Sequence, residues 1–440
     1  MREPPVIATY PPHFRHSPWS LRRASSDPLA FLADLARESG EMVSFSLAGR
    51  PALLLKHPDL VEAVLVTHHH DFTKSYGLQR AARLLGTGLL TAEGERHRQR
   101  KSAIQPAFHR QRLERYAEIM VAHAVRVRDR WQDKTVVDIA SEAGALTLGI
   151  VGQALFGAEM ESISVEVRDA VKAASDSLDP LISLLAPRRV GRQRQRLVGV
   201  IDSLIARHRA AGGNCENLIS LLLDAQDEGA DATTDQLRDD ALTILLAGHD
   251  TIANALVWTW AILARHPVVE ARLEREAETV LGSREAAAAD MPALVFTRRV
   301  LAESMRLFPP AWVLARSARV DVDLGGARIP AGTTVLISQY LLHRDPRFFP
   351  DPATFDPDRW CEHRQGGRPK MAYIPFGAGP RACIGEGFAW MEGVLLLATF
   401  AKRWRFGLCD GEEPVWPRPK ITLRPPSVVR MVLHERPARH

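Results

Sequence analysis

The longest apolar stretch of the chain runs through TILLAGHDTIANALVWTWAILAR, residues 243–265, which is hydrophobic on almost every face. A helix apolar all round crosses a core rather than lying on its surface. The pattern predicts one long helix over residues 235–265, capped by Asp235 and stopped at His266-Pro267. Residues 111–132 and 138–156 are amphipathic and predict helices, and residues 164–178 and 190–210 also read as helical. Asp27 followed by Pro28 opens a helix that closes at Gly40, and Pro58 starts a short one. MVSFSL and PALLLK, on either side of Ala48-Gly49-Arg50, read as a β-hairpin. DVDLGGARIPAGTTVLIS reads as a further hairpin sheet, and TLRPPSVVRMVLH as terminal strands. Residues 71–90 mix charges, glycines and leucines without a clear period. The expected fold class is therefore mainly α with a small β-rich region. Residues 1–26 are Pro-rich and irregular, and no linker-like stretch divides the rest, so a single domain over 1–440 is expected.

Polar residues inside the apolar stretches are the first chemical signal. AGHDT, residues 247–251, puts an acid and an alcohol in the middle of the buried helix. Such groups are costly there unless hydrogen-bonded or used. The plain reading has Thr251 bonding back to the preceding turn and Asp250 in an ion pair. In ESMRLFPP, Glu303 and Arg306 stand three apart on one helix face, and Pro309-Pro310 ends that helix. His97 and Lys101 share a face in the same way, in a basic stretch that also holds Arg98, Arg100, Arg110 and Arg112. PRRVGRQRQR, residues 187–196, carries five arginines. Without interleaved aromatics or a nucleic-acid motif it reads as a solvated helix face, so no nucleic-acid partner is expected.

Composition changes little. The chain has 440 residues, 46% hydrophobic and 25% charged, with a net charge of +5; this is ordinary for a soluble globular protein. No N-terminal apolar run is long enough for an anchor or signal segment, which gives the expectation of a cytoplasmic protein with no transmembrane segment. Cys215, Cys361, Cys383 and Cys409 are too dispersed for a metal-type pair or a disulfide framework.

One of these cysteines has a distinctive setting. PFGAGPRACIG, residues 375–385, places Cys383 at the end of a Gly- and Pro-rich loop, just before an apolar helical run to about Phe400. A helix N-terminus and the nearby Arg381 favour the thiolate. Gly377, Gly379 and Gly385 leave room for something flat against the backbone. A thiolate against a flat face suggests haem iron.

Phe376, Gly379, Arg381, Cys383 and Gly385 resemble, position by position, the haem-binding loop of the cytochrome P450 family. The resemblance implies haem b held by the Cys383 thiolate, with Phe376, Gly377 and Gly385 framing it. It implies that His97, Lys101, Arg316 and Arg381 are candidates for the haem propionates, Arg100 and His343 remaining open. AGHDT is similar to the family's central-helix motif. There Ala247 and Gly248 give close approach to the haem through a local widening, Thr251 hydrogen-bonds the oxygen being activated, and Asp250 relays protons. Glu303 and Arg306 resemble its Glu-x-x-Arg, with Arg359 of FDPDRW as the structural partner. Leu84, Leu85, Leu89, Leu90, Ile244, Ala311, Trp312 and Val313 are implied as pocket walls.

The implied reaction is monooxygenation of a hydrophobic small molecule (a fatty acid, terpenoid or steroid-like compound) by a monomer. No flavin or iron–sulfur segment is visible, so electrons are expected from a separate ferredoxin or flavodoxin with its reductase. The spelling of AGHDT and ESMRLFPP leans toward lipid-oxidising branches. Two alternatives stay open: a peroxygenase or hydroperoxide-rearranging enzyme, and a non-catalytic haem sensor.

Overall fold

The computed structural model describes residues 26–47, 49–157, 170–171, 173, 187–210, 217–227, 233–409 and 415–437. The expected helix over 164–178, Cys215 and residues 1–25 lie wholly or largely outside these.

In chain order the principal helices are α1 (Pro28–Ala36), α2 (Pro58–Glu62), α3 (Tyr76–Leu85), α4 (Gly94–Ile104), α5 (Arg110–Arg130), α6 (Ile139–Phe156), α7 (Pro187–Ala210), α8 (Leu218–Asp227), α9 (Thr234–Leu263), α10 (Pro267–Leu281), α11 (Val295–Leu307) and α12 (Glu386–Ala401). The strands are β1 (Met42–Leu47), β2 (Arg50–Leu55), β3 (Phe72–Lys74), β4 (Val136–Asp138), β5 (Leu314–Ala318), β6 (Val322–Leu324), β7 (Ala327–Ile329), β8 (Thr334–Ile337), β9 (Trp404–Leu408), β10 (Arg418–Pro419), β11 (Leu423–Arg424) and β12 (Arg430–Glu435). The fold is mainly helical with small sheets.

The chain packs as two compact units, each assembled from three stretches. The first comprises Met1–Gln79, Ala311–Thr354 and Gln365–Cys383. Its five-stranded sheet has the order β1-β2-β8-β5-β3. The hairpin register pairs Met42 with Leu55 and Leu47 with Arg50, and β8 then joins β2 in parallel. Leu53, Leu55, Val335 and Ile337 bury one sheet face against Val61, Val64 and Leu65 of the segment after β2. The expected second hairpin forms between β6 and β7, while the following β8 leaves it for the larger sheet.

The second unit comprises Arg80–Pro310, Phe355–Arg364 and Ile384–His440. Its core is the packing of α9 on α6, with α5, α11 and α12 completing it. Both α6 and α9 are long and apolar enough to cross a membrane by length and composition, yet both are mostly buried within the protein. Stacked rings close the core: Trp258 on Phe308 at 4.0 Å and Trp131 on Phe400 at 4.9 Å. The start of α9 differs from expectation. The cap is Thr233, whose hydroxyl accepts from Gln236 N while the Gln236 side chain accepts from Thr233 N. This reciprocal capping box satisfies two backbone donors where Asp235 would satisfy one. Residues 71–90, without a period in sequence, hold β3 and α3.

Candidate active site

The loop before Cys383 is shaped by short-range bonds. Cys383 N donates to Phe376 O at 2.9 Å, and Gly377 N to Ile374 O at 3.0 Å. Gly379 sits at φ +71°, and a Cβ there would stand 2.0 Å from Leu65 O, so only glycine lets the loop approach that backbone. The Cys383 thiol is exposed at the end of this frame. Phe376, Gly377, Arg381 and Gly385 are part-exposed around it. In the same unit, Leu314 lies against Gly377, and Trp312 is buried with its carbonyl accepting from the Ser338 hydroxyl at 3.1 Å. Ala311, Val313 and Arg316 are half-buried, Arg316 being the register partner of the buried Lys74. His343 is fully buried, and its Nε2 accepts from Ile374 N at 3.0 Å, so it braces the backbone leading into the loop.

Among the described residues no three His, Cys, Asp or Glu side chains group to hold a bare metal ion. A single exposed thiol with open backbone around it would instead fit an iron already held by a macrocycle, to which the protein adds one thiolate. The residues present therefore fit haem.

In the other unit, α9 is buried along most of its length, but Ala247 is exposed and Thr251, one turn on, is part-exposed. These two share one open face of the helix, beside the part-exposed Gly248 and Asp250. Thr251 Oγ1 donates back to Ala247 O at 3.0 Å. Asp250 pairs with Arg424 at 2.9 Å and accepts from the Thr422 hydroxyl at 2.8 Å and Asn254 Nδ2 at 3.3 Å. The helix runs through AGHDT as unbroken α-helix, without the local widening the motif suggests. The room left by Gly248 is taken by Val151 of α6, 3.2 Å from where a Cβ would stand. His249 is buried, which pushes its imidazole below the usual range toward the neutral form.

Glu303 gathers a dense set of donors. Arg306 Nε and Nη2 reach its two oxygens at 2.9 and 2.8 Å. Arg359 Nε is at 3.3 Å, Trp360 Nε1 at 3.0 Å and Asp356 N at 3.1 Å. Arg306 and Glu303 are fully buried and Arg359 nearly so.

The basic stretch resolves differently from its appearance in sequence. Arg100 is buried and paired with Asp240 of α9, which removes it from the propionate candidates. His97 is also buried, and Lys101 is half-buried. Arg98 and Arg110 are exposed and paired with Glu95 and Glu114. Leu84, Leu85 and Ile244 are buried, with Leu89 half-buried and Leu90 exposed.

The sequence profile described as Cytochrome P450 matches residues 11–431. The chain belongs to the cytochrome P450 family. It is 38% identical over 410 residues to cyclooctatin synthase of Streptomyces melanosporofaciens, covering 90% of this chain and 89% of the relative. It is 34% identical to cyclooctat-9-en-7-ol 5-monooxygenase of the same organism, covering 86% and 85%. It is 33% identical to pentalenene oxygenase of Streptomyces avermitilis, covering 95% and 94%. This P450 is a haem-thiolate monooxygenase that puts one oxygen atom from O2 into a hydrophobic small molecule, with haem b as cofactor and electrons supplied by a redox partner.

Sequence reading missed Asp239 and Asp240, which hold the segment after α3, and the partners of Asp250 at β11 and just before it, Arg424 and Thr422. The only sequence signal for the first is a pair of adjacent carboxylates directly before the apolar run of α9.

Proposed function

We propose that this P450 oxidises a terpenoid, a polycyclic hydrocarbon or its first alcohol, rather than a fatty acid. The observation that carries this reading is identity of 33–38% over about nine-tenths of the chain with three relatives named for such compounds. Cys383 is assigned as the thiolate ligand, with Phe376, Gly377 and Gly385 as its frame. Haem b supplies the oxygen activation. Arg381, Arg316, His97 and Lys101 are assigned to its carboxylates. Ala247, Gly248 and Ile244 on α9, and Leu84, Leu85, Ala311, Trp312 and Val313, are read as bordering the reactants. Thr251 Oγ1, now donating to Ala247 O, turns outward to donate toward the oxygen side. Asp250 holds a proton path open to solvent, in exchange with its bonds to Arg424 and Thr422. Glu303, Arg306 and Arg359 hold the scaffold. The enzyme is read as a monomeric cytoplasmic protein served by a ferredoxin or flavodoxin and its reductase.

The test is spectroscopic first. Reduced protein exposed to CO should give the strongly red-shifted Soret band of a thiolate-ligated haem, and Cys383→Ser should abolish it. Cyclic terpene hydrocarbons should then shift the Soret band of the oxidised protein at lower concentration than fatty acids of equal carbon number. Fatty acids binding more tightly than any terpene would overturn the substrate class.

A further inference from the structure

The segment joining α3 to α4 is seated on α9 through its own backbone. Thr87 N donates to the Asp239 carboxylate and Leu89 N to the Asp240 carboxylate, each at 2.7 Å. Two glycines make the fit close. At Gly86, with φ +64°, a Cβ would lie 2.1 Å from the Asp239 carboxylate; at Gly88 it would lie 2.5 Å from Asp239 O and 2.6 Å from Thr243 Oγ1. A side chain at either position lifts the segment off the helix. Thr91 Oγ1 donates to Gly86 O at 2.7 Å and closes the segment on itself.

The same carboxylates are gripped from two other helices. Arg194 of α7 reaches Asp239 with Nη2 at 2.6 Å and Leu84 O, in the last turn of α3, with Nη1 at 2.9 Å. Arg100 of α4 pairs with Asp240. Asp239 and Asp240 are both buried. Beneath Gly88, the Thr243 hydroxyl is buried without a hydrogen-bond partner. An apolar wall seated by apolar contact alone can slide, whereas charge-assisted bonds from two backbone donors, on either side of Gly88, fix one register. Leu84 and Leu85 precede the seated segment directly and Leu89 ends it, so their positions follow from where the carboxylates hold Thr87 and Leu89.

We propose that Asp239 and Asp240 are positioning residues for substrate recognition, clasping residues 86–89 to α9 and so fixing the wall made by Leu85 and Leu89. This rests on the reading that the wall borders the substrate. It explains why two adjacent acids are buried in the second turn of α9, and why one arginine of the basic run on α7 is turned inward while Arg188, Arg189, Arg192 and Arg196 are exposed.

The test uses the haem-loaded enzyme and two variants that attack the clasp from opposite sides. Asp239→Asn removes the charge that Arg194 and Thr87 N share, and Gly88→Ala leaves both carboxylates intact while unseating the segment. The probe is phenylimidazole, a hydrophobic azole that ligates haem iron, with unsubstituted imidazole as the small control. Both variants should keep the CO band and the imidazole affinity, weaken phenylimidazole binding about tenfold through a faster dissociation rate, and raise KM with kcat little changed once a substrate is in hand. Phenylimidazole affinity within twofold of the parent in both variants would overturn the proposal. Loss of the CO band in both would also overturn it, by showing that the clasp holds the fold and not the wall. Because the probe is not a terpenoid, a wrong substrate class leaves this test intact.

Discussion

Arg306 is fully buried beside Glu303. Its guanidinium spans both oxygens of Glu303, at 2.9 and 2.8 Å, with neither side chain accessible to solvent. Arg306→Lys replaces a planar fork with a single ammonium that cannot reach both oxygens in the same geometry. At least one charge-assisted bond is lost, and each contributes about 1.5–3 kcal/mol. Arg306→Ala removes the partner outright, and breaking a buried pair in this way costs about 3–5 kcal/mol. Total stability of a folded protein is about 5–15 kcal/mol, so the alanine variant should lose a large share of it. The lysine variant should fall between parent and alanine. Because Glu303 also anchors Asp356 N, Arg359 and Trp360, the loss should spread to the segment around residue 356 and reduce haem retention. The assay is urea unfolding followed by haem absorbance, together with the haem-to-protein ratio after purification. Full haem content in Arg306→Lys, with an unfolding midpoint equal to the parent's, would refute the reasoning.

Three further outcomes are expected. Glu392 of α12 is fully buried, neither carboxyl oxygen has a hydrogen-bond partner, and burial raises its pKa well above the usual 4.5. The folded chain therefore keeps a proton that the unfolded chain releases above about pH 4.5. Its contribution to stability is fully present below that pH and is lost as pH rises through the higher folded value, at about 1.4 kcal/mol per unit. Glu392→Gln should flatten the stability difference between pH 5 and pH 8; an unchanged slope would mean that the carboxyl is hydrated. Asp250→Asn should slow product formation roughly a hundredfold with the CO band intact, whereas parental turnover would leave Asp250 a structural partner of Arg424. Thr251→Ala should divert consumed electrons from product to peroxide, and an unchanged product yield per electron would confine Thr251 to its bond with Ala247 O.

What could be read from the chain divides by range. The apolar run of α9, the hairpin around Gly49 and the helices opened by Pro28 and Pro58 rest on periodicity and punctuation within a few residues, and each begins where those signals stand, although the first helix ends at Ala36 rather than at Gly40. The cap of α9 moved from Asp235 to Thr233, because a capping box competes with a lone acid and only geometry decides between them. β3 and α3 were hidden in residues 71–90 because a three-residue strand is too short to show a period, and the ten-residue helix, although amphipathic with Arg80 and Arg83 on one face and Ala81, Leu84 and Leu85 buried on the other, is too short to stand out beside the glycines that follow it. Site residues found by motif are local too: Cys383, AGHDT and Glu303/Arg306 each lie within one stretch. Residues that act through distant partners were not legible. Asp250 meets Thr422 and Arg424 across most of the C-terminal half of the chain, and Arg100 looked like one more cation on a basic helix until Asp240 stood opposite it.

The three-stranded sheet has the order β4-β12-β9. Its middle strand is made after both of its neighbours: Arg430 pairs with Asp138, and Leu433 with Phe406. Just beyond it, Arg436 pairs with Glu270 and Glu274 of α10. While the ribosome still holds residues 430–436, β4 and β9 have no strand between them and the two glutamates lack their cation. Such non-local pairing is slow because the loop must close before the contacts form. Commitment of this unit to its native state thus waits until residues 430–436 have been made. A chain cut before Arg430 should be degraded or aggregate rather than accumulate as a haem-binding fragment.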